Sequence, residues 1–261
     1  MVNVSPRPRA RLDMTAFVAY CWSMADAALA IKNNVRAVLE RIAEAARRSG
    51  RAPSEVFLMA AVKARAVAEI EAVVESGVHF LGENRIKEGE EHLAALYPEA
   101  RSRCKARFIG RLQSNKARRA LLAFDSLDSV DSPDLAKRLS RIADEEGIAR
   151  EVMIEVNCGE KQKGGVSEKE TPALAELLFE LPNLTLTGLM AVPPQEEDPD
   201  ATRLVFRRLK KLFDSIRANH PNLEAFGFLS IGMSNDYVVA IEEGATLVRV
   251  GTALFGPRRL P

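Results

Sequence analysis

The sequence alternates short strand-like runs with helical patterns, and this alternation restricts the fold more than any other feature. Strands that alternate with helices build a parallel sheet through right-handed crossovers. A (β/α)₈ barrel of about 250 residues is a common size for one domain, which suits a chain of 261 residues. Eight runs rich in Val, Ile, Leu and Phe predict the strands, at residues 56–63, 79–84, 106–110, 124–130, 151–157, 184–192, 225–232 and 246–256.

We therefore predict an α/β fold that consists of a single TIM barrel. An open, doubly wound sheet is disfavoured because no G-x-G-x-x-G sequence follows the first strand. Four helical patterns between the strands support the barrel, at residues 66–77, 132–147, 170–182 and 201–220.

An extra helix precedes the first strand, in the segment from Met24 to Gly50. Its apolar residues recur at helical spacing, and we expect Ile31, Val35, Leu39 and Ile42 to face the barrel. Residues 1–23 differ in composition, with three arginines against one aspartate. We expect them to be a disordered tail or an over-long start before a barrel domain of residues 24–261, and an organelle transit peptide is the alternative.

Composition limits the classes of partner. Lys and Arg number 37 and Asp and Glu 36, so net charge gives no reason to expect nucleic acid. Three widely separated cysteines suit a reducing, cytoplasmic location. The three histidines lack the spacing of metal ligands, and no apolar run approaches the ~20 residues of a membrane helix. We expect no metal site and no membrane association.

Polar residues follow the strands where a barrel would gather them at one mouth, the face that carries active sites. Lys63 ends the apolar run 56–63, where a solvated strand end is the alternative explanation for a charge. The other strand ends are 82–84, 110–113, Asp131, Asn157, Met190, 230–234 and 249–252. This convergence makes Lys63 a candidate site residue.

Glycine and hydroxyl residues after the last two strands occupy the place where barrels commonly bind phosphate. A lysine that faces a phosphate site suggests a phosphorylated carbonyl ligand. Two hypotheses then remain: a Schiff-base aldolase that acts on a sugar phosphate without a cofactor, and a pyridoxal phosphate site.

Six motifs in order carry a resemblance that spans most of the chain from Met24 onward. They are GRAPSEVFLMAAVK, GENRIKE, FIGRLQSNK, VNCGEKQKGGVS, LTGLMAVPP and LSIGMSNDYVVAIEEGATLVRVGTALFG. Together they resemble the pyridoxal phosphate homeostasis protein family, whose single barrel is similar to the N-terminal domain of alanine racemase. The resemblance implies pyridoxal 5'-phosphate (PLP) as the cofactor.

The resemblance also implies roles for particular residues. Lys63 would form the Schiff base with the cofactor aldehyde, and Arg249 would face the pyridine nitrogen. Ser230, Gly251 and Thr252 would hold the phosphate with Ser234 nearby, and Asn84 would lie close to the ring. Because arginine can only donate hydrogen bonds, the pyridine nitrogen would stay unprotonated and the ring would be a weak electron sink.

These roles imply a protein of intracellular vitamin B6 homeostasis that holds PLP without established catalysis. Similar racemases use a tyrosine base from a second domain, and we expect no such domain here. The alternative is a weak racemase or transaminase with Lys63 as its base. We expect a monomer whose partners are PLP and PLP-dependent apo-enzymes.

The motifs depart from the family pattern at two places. The family usually has Ser-Lys-Thr-Lys-Pro around its lysine, whereas this chain has Val62, Ala64 and Arg65 beside Lys63. Any role of the second lysine would pass to Arg65. Ala106 and Arg107 replace a typical Trp-His pair, and we expect them to pack at the base of the barrel.

Two charged segments have competing interpretations. Glu160 and Lys163 form either a solvated loop or a mobile lid that contacts the cofactor. Lys116, Arg118 and Arg119 would serve a nucleic-acid binder, but no aromatic residues interleave them. A solvated helix face is the favoured interpretation of this second segment.

Overall fold

Eight parallel strands close into a barrel in the computed structural model, which describes residues 14–159, 164–194, 199–220 and 224–257. The prediction of a (β/α)₈ barrel is confirmed. A ninth, two-residue strand, β6, extends the sheet beside β5. In chain order the strands are β1 Phe57–Ala61, β2 Phe80–Glu83, β3 Lys105–Phe108, β4 Ser126–Val130, β5 Arg150–Asn157, β6 Val166–Ser167, β7 Leu184–Ala191, β8 Phe228–Ser230 and β9 Leu247–Val250.

The barrel closes because its first strand pairs with its last and because the consecutive strands β4 and β5 are also paired. β1 pairs with β9, and β4 pairs with β5 with Ser126 opposite Glu151. All pairs are parallel, so every strand ends at the same mouth.

Ten helices surround the barrel in the described part of the chain. Both boundaries of α6 follow local signals, because the Ser132 hydroxyl accepts from the Leu135 N–H at its start and left-handed Gly147 follows its end. The helices are α1 Met14–Arg48, α2 Val67–Glu75, α3 Ile86–Ala95, α4 Pro98–Arg103, α5 Ala117–Ala123, α6 Pro133–Glu146, α7 Thr171–Glu180, α8 Pro199–Asn219, α9 Tyr237–Glu242 and α10 Thr252–Phe255. None of the helices searched in the described ranges has the length and apolarity to cross a membrane.

The extra N-terminal helix packs on α2, α9 and α10, but it differs from its prediction in two respects. It begins at Met14, so residues 14–23 are helical where we expected a tail, while residues 1–13 lie outside the described residues. Val38 is buried in place of Leu39, which is 39% exposed. A period of 3.6 residues places 31, 35, 38 and 42 on one face and turns residue 39 away.

The last predicted strand, 246–256, is two elements. β9 ends at Val250, and α10 begins at Thr252. Gly251 between them has φ −120° and ψ −77°, which leaves the extended strand conformation. The break is not visible in the sequence because the run is apolar throughout, and short buried strands and short buried helices have similar sequences.

Arg107 lies inside the barrel near its amino-terminal end, which is the base of the barrel. Its guanidinium is fully buried, with Nε 2.8 Å from an Asp128 oxygen and Nη1 3.0 Å from a Glu151 oxygen. The guanidinium carbon is 5.5 Å and 5.3 Å from the ring centroids of Phe80 and Phe228. The barrel floor is therefore an ion-pair network enclosed by aromatic rings.

A second buried polar pair joins β2 to α3. Glu83 is 1% exposed, and its carboxylate accepts a 2.6 Å hydrogen bond from Nδ1 of His92. This bond raises the pKa of His92, and burial raises the pKa of Glu83. Both shifts mean that the folded pair holds its protons more tightly than the unfolded chain does.

Replacing Asp128 by Asn should lower the free energy of unfolding by about 3 kcal/mol, because Arg107 would lose its fully buried carboxylate partner and keep only the partly exposed Glu151. Urea denaturation measures the change. Asp214→Asn is the matched control, since it breaks the exposed Lys210–Asp214 pair, and it should cost under about 1 kcal/mol. Equal losses in the two variants would contradict the assigned role of the buried pair.

The His92 pair should make stability fall as pH rises. A histidine whose folded pKa is raised contributes stability below its ordinary pKa of 6.5 and loses it as pH climbs through the folded pKa. His92→Gln should flatten this decline in urea midpoints measured from pH 6 upward. His79→Gln, at an exposed histidine, should leave the decline intact, and a His92→Gln profile identical to wild type would contradict the linkage.

Candidate functional site

Lys63 lies in a tight turn directly after β1. The N–H of Val62 donates to the Gly82 carbonyl, 3.1 Å away, and the N–H of Arg65 donates back to the Val62 carbonyl at 3.2 Å. Ala64 is left-handed, with φ 57°. Lys63 is half-buried, and within the described ranges no hydrogen bond or ion pair engages its ammonium.

Side chains from two directions hold this turn. The Ala64 N–H donates to the carboxylate of Glu88 on α3. The Arg65 guanidinium donates to the carbonyls of Gly256 and Phe255, at 2.7 Å and 3.4 Å, and lies 4.9 Å from the centroid of the Phe255 ring. Arg65 is buried, and its guanidinium contacts the end of α10 and the glycine that follows it.

Arg249 is a buried charged residue at the mouth of the barrel. Its Nη1 donates to the Ser230 carbonyl and hydroxyl, at 2.6 Å and 2.7 Å, and its Nη2 donates to the Ala191 carbonyl at 2.7 Å. Burial lowers the pKa of Arg249. The contacts fix the guanidinium between β7, β8 and β9. They also use the Ser230 hydroxyl as an acceptor.

Ser234 and Gly251 meet at the mouth beside the start of α10. The Gly251 N–H donates to the Ser234 hydroxyl at 3.1 Å, and Thr252 is exposed next to them. Gly232, with φ +89°, turns the chain after β8. The Met233 N–H donates to a carboxylate oxygen of Asp236 at 2.5 Å, which closes the loop. The two glycine and hydroxyl clusters are thus brought together as predicted.

Two carboxylates, Glu155 on β5 and Asp131 directly after β4, form a further part of the mouth. The half-buried Glu155 has a raised pKa, mainly through burial and then through the nearby Asp131 charge, while Arg249 and Arg111 oppose the shift. Glu155 was missed from the sequence because it precedes the end of β5. The strict alternation of Glu151, Met153, Glu155 and Asn157 along β5 could have found it.

Asn84 and Asn157 lie at the mouth as predicted from the strand ends. Asn84 is exposed, and its backbone carbonyl lies against Gly110, where a Cβ atom would come within 2.2 Å of that oxygen. Gly110 therefore permits the close approach of the two loops. The side chain of Asn157 binds its own loop, with Nδ2 3.2 Å from the Gly164 carbonyl.

The remaining charged candidates are away from this geometry. Glu160 and Lys163 lie outside the described residues. Arg118 pairs with Glu145 and Glu146, and Arg119 pairs with Glu90. These helix-surface pairs use two of the three cations that a nucleic-acid site would need.

The donor set of the mouth fits a phosphorylated carbonyl compound such as PLP. Lys63 supplies an amine that no described carboxylate neutralises, in contrast to paired lysines such as Lys105, 2.7 Å from Glu151. Ser234 and Gly251 place a hydroxyl beside an N–H, which suits phosphate oxygens. Arg249 offers only hydrogen-bond donors, which suits an aromatic nitrogen with a free lone pair.

Comparison with known proteins identifies the family. The model of the alanine racemase N-terminal domain family matches residues 29–259. The pyridoxal phosphate homeostasis protein of Vibrio alginolyticus is 38% identical over 232 residues, which are 87% of this chain and 97% of the relative. The protein of the same name from Aquifex aeolicus is 40% identical over 223 residues, covering 85% and 96%.

A solved structure shows the same fold with the cofactor. PipY of Synechococcus elongatus with PLP bound is 34% identical, and the superposition covers 84% of this chain and all of PipY with a TM-score of 0.70. The family match, the two relatives and this structure agree along nearly the same range. The chain therefore belongs to the pyridoxal phosphate homeostasis protein family, with a barrel of the alanine racemase N-terminal type.

Proposed function

We propose that this protein binds PLP and takes part in its homeostasis. The observation that carries the proposal is the arrangement around one barrel mouth of a buried arginine, a hydroxyl–amide cradle and a lysine that has no partner among the described residues. The relatives named pyridoxal phosphate homeostasis protein and the PLP-bound PipY support it. Monomeric state, cytoplasmic location and delivery to apo-enzymes stay predictions.

In our proposal Lys63 holds the cofactor covalently. The Lys63 amine would condense with the cofactor aldehyde, which would replace the C=O bond by a C=N bond and release the oxygen as water. The reaction needs no oxidant or further reactant. The Lys63 amine is suited to this role because it has no ion-pair partner to displace in the described part of the chain.

The phosphate ligands of this proposal are Ser234, Gly251 and Thr252. Ser234 has a hydroxyl hydrogen to donate, since its oxygen accepts from the Gly251 N–H. Ser230 is fully buried beside Arg249, from which its hydroxyl accepts, whereas Ser234 is partly exposed at the mouth. We assign Ser230 to the orientation of Arg249 instead of the phosphate.

A carrier without turnover is favoured over a racemase. Racemisation needs a base on the side of the substrate opposite the lysine. Of the tyrosines with described side chains, Tyr97 donates its hydroxyl to Glu75, and Tyr237 is buried on α9 with Arg41 over its ring. Neither hydroxyl belongs to the mouth residues described above.

Lys63→Ala should abolish the yellow absorption band that the wild type gains with PLP, and it should weaken binding roughly tenfold or more because the covalent bond is lost. Absorption spectra and equilibrium titration measure both effects. Lys87→Ala, at a lysine whose side chain is 79% exposed, is the control and should behave as wild type. An unchanged band in Lys63→Ala would refute the assignment.

Ser234→Ala should weaken PLP binding by roughly 10- to 100-fold, because a hydrogen bond to a charged group is lost. Binding of pyridoxal, which lacks the phosphate, should not change. Ser230→Ala tests the reassignment and should leave the ratio of PLP to pyridoxal affinity near that of wild type. A selective loss of PLP affinity in Ser230→Ala, with Ser234→Ala normal, would reverse the two roles.

A further inference from the structure

The turn that carries Lys63 is held by one face of α3. Glu88 and His92 are four residues apart and therefore neighbours on the helix surface. The Glu88 carboxylate accepts the Ala64 N–H, and the His92 ring lies within hydrogen-bonding reach of the Arg65 backbone. Two consecutive residues after Lys63 are thus held by side chains of the same helix.

The turn needs such restraints because its backbone is unfavourable. Ala64 has φ 57°, a left-handed conformation that is unfavourable for a residue with a Cβ atom. The N–H of Ala64 is not used by the turn's own hydrogen bond, which joins Arg65 to Val62. A carboxylate that accepts this N–H favours the strained conformation over its relaxed alternatives.

Helix α3 is itself fixed to the barrel under the turn. His92 donates to Glu83, the last residue of β2, in the buried pair described above. Gly89, between Glu88 and His92, packs against the Phe124 ring, where a Cβ atom would come within 2.6 Å. The position of the Glu88 carboxylate is therefore set by the core and does not depend on a bound ligand.

We propose that Glu88 is a positioning residue, which holds Ala64 in its left-handed conformation and so directs the Lys63 amine into the mouth. The expected effect of Glu88 on PLP binding rests on the proposed function of Lys63, whereas its effect on the Ala64 turn does not. Without Glu88, Ala64 relaxes toward negative φ, and the peptide between Lys63 and Ala64 rotates. The amine then spends less time at the mouth.

Hydrogen exchange of the Ala64 amide in the cofactor-free protein, followed by NMR, tests the geometry. Glu88→Ala should speed this exchange by about 10- to 100-fold, as expected when a hydrogen bond to a charged group is lost. Glu88→Gln keeps an acceptor oxygen and should restore most of the protection. Exchange in Glu88→Ala at the wild-type rate, or no rescue by Gln relative to Ala, would overturn the proposal.

Glu91→Ala is the matched control. It removes the same group from the same helix, but Glu91 is exposed and pairs with Lys87. Hydrogen exchange of the Ala64 amide in Glu91→Ala should be as slow as in wild type. An equal acceleration in Glu91→Ala and Glu88→Ala would assign the effect to weakening of α3 in general and would overturn the proposal.

PLP titration tests the consequence. Glu88→Ala should form the yellow band with an affinity about tenfold lower, and Glu88→Gln should lie within about threefold of wild type. If wild type and variants all lack the band while exchange responds as expected, the proposed function fails and the positioning geometry stands. If wild type forms the band and Glu88→Ala binds equally tightly, the positioning role itself is wrong.

Discussion

The buried guanidinium of Arg249 is the interaction around which the mouth is organised. A charge buried inside a barrel needs hydrogen-bond partners that offset its loss of hydration. Arg249 has three, the carbonyls of Ala191 and Ser230 and the Ser230 hydroxyl. These acceptors lie at the carboxyl ends of β7 and β8, and Arg249 itself is on β9. The requirement to satisfy one cation thus fixes three strand ends relative to one another.

The barrel interior is polar at both ends and apolar between them. Arg107 is neutralised at the floor by Asp128 and Glu151, whereas Arg249 at the mouth has mainly neutral oxygens as direct partners. A layer formed by Met59, Met153, Met190 and Leu247 separates the two. The charge at the floor is therefore paired, although Nη2 of Arg107 has no hydrogen-bond partner among the described residues. At the mouth, no described carboxylate forms an ion pair with Arg249, while Asp128, Asp236 and Glu155 act on its charge from farther away.

The sequence predicted those site residues whose location depends only on their position along a strand. Lys63, Arg249, Ser234 and Gly251 lie at strand ends, and parallel strands must end together, so their convergence followed from the pattern.

Contacts that depend on three-dimensional approach left no such signal. Glu88 and the turn at Ala64 are 24 residues apart, and nothing in either segment announces their hydrogen bond. The sequence left Ser230 ambiguous for the same reason, because a hydroxyl beside a glycine-rich loop looks alike whether it faces a ligand or Arg249.

The Arg65 side chain connects two parts of the site. It joins the Lys63 turn to the Phe255 and Gly256 carbonyls, at the end of the helix that begins at Thr252. The amine and the hydroxyl–amide cradle therefore belong to one rigid unit instead of two independent loops. If Lys63 and the cradle bind a phosphorylated aldehyde as proposed, such a unit sets the separation between its carbonyl carbon and its phosphate. A shorter or longer phosphorylated aldehyde could satisfy one end of the site only by releasing the other.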